Sequence, residues 1–426
     1  MLTPYPEQLA HIERLAAAVE RRGGALDSSH TGTGKTLCAL ETAKKLGNKV
    51  FVICPKVVIP AWKAAIIEQG VECIGVFNYE KLRTGNTSFV AKSGKTFLWN
   101  MPQGTILIFD EVHKCKASKL TLNAKLLTTA KAQGFRTLML SATACKSPVD
   151  MRAVGYALGL HQNTNFYRWA KEYGATFNVF GALEFGKKDR EVYLQRLNRL
   201  LYPTVASKLT REDLGQHFEE TSVIIEPMDF GDDGKIEKLV TEMEEELGIL
   251  QERVEKDRQG ASALTEILRM RQRVELLKVP TIVTLAEEAL EEGNSVVVFL
   301  NFVASLEAFE ERAKTPSRSI RGSQTPEVRQ ANIDTFQENK CRLLTVMASA
   351  GGVGVSLHAL DADYPRVSFV SPDYSEITHQ QCLGRIDRVG GKAPSVQRVL
   401  VANGIEQRVM KALHNKLTNM ETLHSV

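Results

Sequence analysis

The stretch best equipped for chemistry is Ser29-His30-Thr31-Gly32-Thr33-Gly34-Lys35-Thr36. It follows the short apolar run Gly24-Ala25-Leu26. It opens a segment in which Leu37, Ala39, Leu40, Ala43 and Leu46 keep helical spacing. A glycine-rich turn between a strand and a helix N-terminus is an anion cradle, because its N–H groups and the helix dipole both favour phosphate. Lys35 is placed to reach the outer phosphates of a nucleotide, and the Thr36 hydroxyl to ligate Mg2+. Ser29 stands where this pattern usually begins with glycine.

A second cluster, Asp110-Glu111-Val112-His113, follows the apolar run Thr105 to Phe109. A carboxylate at the end of a buried strand can hold Mg2+, and a second beside it can orient and deprotonate an attacking water. Burying charge there without a partner is costly, which favours function over chance. A third cluster runs from His379 to Arg388. Its Arg385 and Arg388 are predicted to share one helix face, which suits the charge on a transferring γ-phosphoryl group. A structural salt-bridging pair is the plainer alternative. Gln8 lies upstream of the glycine-rich turn, and its amide can read an adenine edge, although most lone glutamines are surface residues. Ser141 and Thr143 are expected to hydrogen-bond the carboxylates of the preceding strand end, or else to act as an ordinary cap. The glycines in Ser349 to Leu357 would let backbone approach a nucleotide or phosphodiester closely.

The elements that must position these groups read as alternating buried strands and helices. Val50 to Cys54, Thr105 to Phe109, Arg136 to Leu140, Ser295 to Leu300, Arg342 to Val346 and Val367 to Val370 are short apolar runs. Such runs suit parallel strands covered on both faces. Pro55-Lys56 ends the first of them, and a helix with Trp62 follows over 57–67. Between about 147 and 220 the pattern changes to helical stretches carrying Phe166, Tyr167, Trp169, Tyr173 and the basic residues Lys171, Lys187, Arg196 and Lys208. An inserted helical subdomain is expected there, offering either a phosphate-tracking surface or a solvated face. Residues 235–258 and 261–292 read as long charged helices, with Leu239, Met243, Leu247 and Leu250 as the apolar positions of the first.

The 426 residues leave room for two or three domains, and 43% hydrophobic with 24% charged residues is an ordinary globular balance. The net charge of +4 permits nucleic acid as a partner without requiring it. Seven scattered cysteines form no C-x-x-C pair, which argues against zinc and for buried thiols in a reducing compartment. The N-terminus lacks a basic start followed by an apolar run, and no apolar run is long enough to span a bilayer. A soluble, cytoplasmic protein with no membrane partner is expected.

Taken in order, these motifs resemble those of superfamily 2 helicases and translocases. The set looks most like the Swi/Snf-like group in a compact, bacteriophage-type form. Ala350-Gly351-Gly352-Val353-Gly354 carries most of the likeness to that group. Ser28 to Thr31, Gly384-Arg385 and Gly391 depart from it. The resemblance implies an α/β fold of two RecA-like P-loop domains with parallel sheets and helical insertions. The domains would be 1–220, with its insertion at 147–220, and 221–426, with a helical segment at 234–292. It implies ATP and Mg2+ as cofactors. Lys35, Asp110, Glu111, Arg385 and Arg388 would be catalytic, and Thr36 and Asp110 would hold the metal. Gln8, Gly32, Thr33, Gly34, Lys35, Thr36, Gly354 and Gln381 would contact the nucleotide. Pro55, Lys56, Trp62, Asn301, Ser349, Ala350 and Gly351 would meet nucleic acid. The implied partner is DNA, duplex before single strand, with RNA open and protein partners unassigned. The implied activity is ATP hydrolysis coupled to translocation on or remodelling of DNA in replication, recombination or repair. A strand-separating helicase, a restriction-type motor subunit and a non-catalytic nucleotide-gated binding module are the alternatives.

Overall fold

The computed structural model describes residues 1–402 and 406, apart from 117, 180, 187, 229, 231–233, 237, 240, 243–259, 352–354, 374 and 403–405. The chain divides into two compact units, Met1–Gly215 and Gln216–His414.

In the first unit, β1 (Gly24–Asp27), β2 (Lys49–Cys54) and β3 (Cys73–Asn78) precede a hairpin of β4 (Val90–Ser93) and β5 (Thr96–Trp99). Then come β6 (Thr105–Asp110), β7 (Arg136–Leu140), a second hairpin of β8 (Ala175–Phe177) and β9 (Leu183–Phe185), and β10 (Ala206–Ser207). The main sheet has the order β10-β1-β7-β6-β2-β3. Every pairing in it is parallel. Phe51, Ile53, Leu107, Phe109 and Met139 are fully buried in its core. That is why their runs are continuously apolar: helices cover both faces of a parallel sheet. The strands place the glycine-rich turn, Pro55, Glu111 and Ser141 at the carboxyl ends of β1, β2, β6 and β7, the edge where ligands bind in sheets of this kind.

The segment 147–220 is not a separate helical subdomain. It holds the helices Arg152–Ala157, Phe166–Glu172 and Arg190–Leu201, the β8–β9 hairpin and the edge strand β10. Phe166, Trp169, Leu194, Leu197 and Leu201 pack into the same core as the main strands, so its apolar residues serve the sheet and not a core of their own. Trp169 and Tyr173 turn inward as well, while Tyr167 and Phe177 stay 38% and 46% exposed.

The second unit contains β11 (Thr221–Met228), β12 (Ser295–Leu300), β13 (Arg318–Ile320), β14 (Leu343–Met347), β15 (Arg366–Val370) and β16 (Ser395–Ala402). Its sheet is also wholly parallel, in the order β11-β16-β15-β12-β14-β13. The helix Gly260–Glu291 packs Val274, Ile282, Ala286 and Leu290 against it. Of the helix expected over 235–258, Met243, Leu247 and Leu250 lie outside the described residues. All seven cysteines are free thiols; five are buried, and Cys73 and Cys341 are half-buried. Among the described residues no helix is long and apolar enough to cross a membrane.

Candidate nucleotide site

The glycine-rich turn leaves β1 and ends at the helix Lys35–Lys45. Gly32 and Gly34 have φ of 86° and 90°, a left-handed backbone that other residues adopt only with strain. A Cβ on Gly34 would also lie 2.5 Å from Gln8 Nε2. Lys35 Nζ donates to the carbonyls of Ser29 and His30 at 2.9 and 2.8 Å, so its ammonium sits inside the turn. Thr36 follows in the first helical turn, half-buried. Burial, together with Lys208, pushes the His30 imidazolium down to about 4.

Gln8 is 1% exposed and packs against this turn. Its Oε1 accepts the Tyr5 N–H and its Nε2 donates to the Thr33 carbonyl, both at 2.9 Å. The amide braces the turn through these two bonds.

Asp110 closes β6. Its Oδ2 accepts the Trp62 indole N–H at 2.8 Å and its Oδ1 accepts the Glu111 N–H at 2.9 Å. The Tyr79 hydroxyl donates to the Asp110 carbonyl at 2.8 Å. Burial, and after it the neighbouring Glu111 charge, hold the Asp110 carboxyl above the usual carboxylate range, against the opposing pull of Trp62 and Lys35. Glu111 has φ 53° and ψ 49°. A left-handed non-glycine residue costs on the order of 1–2 kcal/mol, and such outliers collect at functional positions.

Glu111 Oε2 lies 3.1 Å from His113 Nδ1. The same nitrogen is 3.2 Å from Ser141 Oγ and 3.5 Å from Thr143 Oγ1. The hydroxyls after β7 were expected to meet the carboxylates directly; His113 stands between them, because its ring fills the space between the ends of β6 and β7.

Trp62 corrects another expectation. It is 2% exposed and spends its N–H on Asp110, so it positions a carboxylate and has no face to offer nucleic acid. Pro55 is buried at the end of β2, while Lys56 beside it is exposed. In the second unit Asn301 Nδ2 donates to Glu275 Oε2 at 2.8 Å and to the Pro372 carbonyl at 2.9 Å. Its backbone N–H also bonds Glu275. This inward anchoring does not match a side chain expected to meet nucleic acid. Ser349 is exposed and Ala350 half-buried in the short helix Ala348–Gly351. Gly354 lies outside the described residues.

Arg385 and Arg388 do not share a helix face. The helix Glu376–Leu383 ends with Gly384 as its C-cap, and the Leu357 N–H then captures the Arg385 carbonyl at 2.9 Å. Glycine is a poor helix former, and this bond draws the chain toward the Val355–Leu357 loop. The two side chains still converge. Arg385 Nη1 and Arg388 Nη2 both donate to the Val355 carbonyl, at 3.2 and 3.1 Å. Arg385 is 2% exposed and Gln381, on the preceding helix, is 9% exposed.

Several contributors were missed from the sequence: Tyr79, Glu275, Asp27, His11 and Ser207. Two left a signal. Asp27 ends an apolar run as Asp110 does. His11 falls three residues after Gln8, within the stripe that Ile12 and Leu15 bury.

Comparison with known proteins finds similarities over part and over nearly all of the chain. Residues 278–390 match the helicase conserved C-terminal domain. A putative ATP-dependent RNA helicase of Acanthamoeba polyphaga mimivirus is 29% identical over 451 residues, spanning 99% of this chain and 83% of that protein. A solved SWI2/SNF2 ATPase core from Sulfolobus solfataricus, in complex with dsDNA, aligns over 98% of this chain and 93% of that one, with 15% identity and a TM-score of 0.35. The second unit, built on a wholly parallel sheet, thus carries a region similar to the helicase conserved C-terminal domain, and the full chain is similar to a putative ATP-dependent RNA helicase.

Proposed function

We propose that the chain binds Mg·ATP and couples its hydrolysis to translocation on or remodelling of DNA, as a compact Swi/Snf-like motor of bacteriophage type. The observation that carries this reading is the convergence of Lys35, Asp110 and Glu111 at one sheet edge, with Glu111 held in a left-handed backbone. Glu111 would serve as general base, its carboxylate oriented by His113. Lys35 would exchange its two loop carbonyls for the outer phosphates of the nucleotide. Gln8 would add an adenine contact to its bracing role, and Gly32 to Thr36 would wrap the phosphates.

The donor set suits a divalent cation. The Thr36 hydroxyl and the Asp110 carboxylate are hard oxygen ligands, and the Asp110 charge, disfavoured by burial and by Glu111, is relieved by a cation. Mg2+ here would neutralise charge building on the phosphates. Among the described residues no cluster of three His, Cys, Asp or Glu forms a dedicated metal cage. That fits a metal held largely by phosphates and water.

Arg385 and Arg388, whose charges are held close by a shared carbonyl, would receive the γ-phosphate, with Gln381 and Gly354 beside it. Both arginines belong to the second unit, and each would stabilise charge on the transferring phosphoryl group. Lys56, Ser349, Ala350 and Gly351 would meet the nucleic-acid backbone. The description of the mimivirus relative favours a second reading, in which the track is RNA and strands are separated. ATPase assays with duplex DNA, single-stranded DNA and RNA, followed by strand displacement, separate the two. Stimulation by duplex DNA without displacement is the expected result. Equal, low turnover with every polymer would leave a nucleotide-gated binding module.

A further inference from the structure

A buried polar chain lies beneath the glycine-rich turn and takes no part in the mechanism above. His11, Asp27, Ser29 and Ser207 are each 3% exposed or less. They come from the helix Pro6–Arg22, the end of β1, the turn itself and the edge strand β10. Arg14 Nε donates to Ser207 Oγ at 2.9 Å. Ser207 Oγ lies 2.7 Å from His11 Nδ1, and His11 Nε2 lies 3.2 Å from Asp27 Oδ2. With the His11 proton on Nε2, Ser207 accepts from Arg14 and donates to Nδ1, while Nε2–H faces the Asp27 carboxylate at ion-pair distance and lies 3.4 Å from Ser29 Oγ. Burial alone would raise the Asp27 carboxyl, but His11, Lys35 and Ser29 together hold it below the ordinary value. Asp27 Oδ1 then accepts the Ser29 N–H at 3.0 Å.

Ser29 is therefore fixed from two sides. Its Oγ accepts the Leu209 N–H at 2.9 Å, and the next residue, His30, donates its N–H to the Leu209 carbonyl at 2.9 Å. Its own carbonyl holds Lys35. A glycine at this position, usual in such turns, would lack the hydroxyl that ties the turn to Leu209. Strand β10 and Leu209 belong to the last stretch of the first unit, which leads on to the second.

We infer that His11 and Ser207 are positioning residues for nucleotide binding. Through Asp27 and Ser29 they lock the phosphate-binding turn to the strand by which the chain leaves the first unit. This rests on the reading that the turn binds ATP. Neither residue touches the nucleotide in that scheme, and both act by setting the place of Ser29 and thereby of Lys35. The arrangement has the residue types of a hydrolytic triad, but its burial denies a substrate access to Ser207, so its role is mechanical.

The test uses the full chain and the variants Ser207→Ala, His11→Gln and Ser29→Ala, each checked for a cooperative melt. Ser207→Ala deletes one hydroxyl and leaves His11 and Asp27 in place. His11→Gln keeps a donor for Asp27. Steady-state ATP turnover at saturating nucleic acid gives KM and kcat, and a fluorescent ATP analogue gives affinity directly. Ser207→Ala and His11→Gln are expected to raise the ATP KM and the analogue Kd roughly five- to tenfold, the size of one lost buried hydrogen bond, with kcat and nucleic-acid affinity within about twofold. Ser29→Ala keeps the backbone N–H that Asp27 accepts and removes the separate tie to Leu209, so combined with Ser207→Ala it should weaken ATP binding further than either single variant. A folded Ser207→Ala protein with the parent KM and Kd overturns the inference. So does a raised KM accompanied by a fall in kcat, nucleic-acid affinity and melting temperature, which would mark general loss of structure. A parent protein that neither binds nor hydrolyses ATP instead overturns the functional reading, and this inference with it.

Discussion

Glu111 is where backbone and chemistry meet most closely. Its left-handed conformation is held by its own N–H on Asp110 and by the Lys114 N–H on its carbonyl. Glu111→Gln keeps the shape and removes the base, so ATP should still bind while turnover falls by at least about a hundredfold, in the range seen for a lost general base. Single-turnover and equilibrium binding measurements check the two halves of that statement, and parent-like turnover would exclude Glu111 as the base. Trp62→Phe tests a different bond. It preserves most of the buried ring and deletes the N–H that Asp110 accepts. Loss of a hydrogen bond to a charged group costs about 1.5–3 kcal/mol, so kcat/KM should fall roughly tenfold or more. The concentration of Mg2+ needed for half-maximal rate should shift with it, whereas a nucleic-acid role for Trp62 would move only the stimulation by polymer.

At the scale of elements, the central strands carry the fold. Phe109 is fully buried in β6, between the Tyr79 and Trp99 rings at centroid distances of 6.4 Å to each. Phe109→Ala should cost about 3–5 kcal/mol, read as a lowered denaturant midpoint, while the 80%-exposed Ile67 should tolerate Lys with almost no change. The same contrast explains what could be read beforehand. Strands β6, β7 and β12 were legible because burial on both faces makes their runs apolar throughout. Strand β10 is two residues long, and β16 opens on Ser395-Val396-Gln397-Arg398 with buried and half-buried positions alternating before its apolar end, so neither is a continuous apolar run over its whole length. The glycine-rich turn and the Asp110-Glu111 pair were legible because chemistry fixes both residue type and spacing. The inward turns of Trp62 and Asn301 were not, since nothing in a linear motif says which way a side chain will face. The paired arginines were found, but on the wrong support: a loop carbonyl, and not a helix, brings them together.

For the whole molecule, two histidines set an acid limit. Burial lowers His30 and His358 to about 4, helped by Lys208 in one case and by Arg388 and Arg366 in the other. The unfolded chain takes up protons near 6.5, where the folded protein does not, so stability should fall as pH drops from about 6.5 toward 4. The slope contributed by each histidine is at most roughly 1.4 kcal/mol per pH unit. Chemical denaturation of the nucleotide-free protein across that range checks the sign, and His358→Gln should flatten part of the slope. Binding to the polymer should weaken steeply with salt, and Lys56→Ala should reduce the salt slope by about one unit with no change in sequence preference. The distribution of thiols has a practical corollary. Five of the seven are shut away, and the two partly open ones, Cys73 and Cys341, fall one in each unit. Maleimide reagents on the unaltered chain should therefore label one position in each unit and spare the five buried thiols, giving each half its own spectroscopic handle without any substitution.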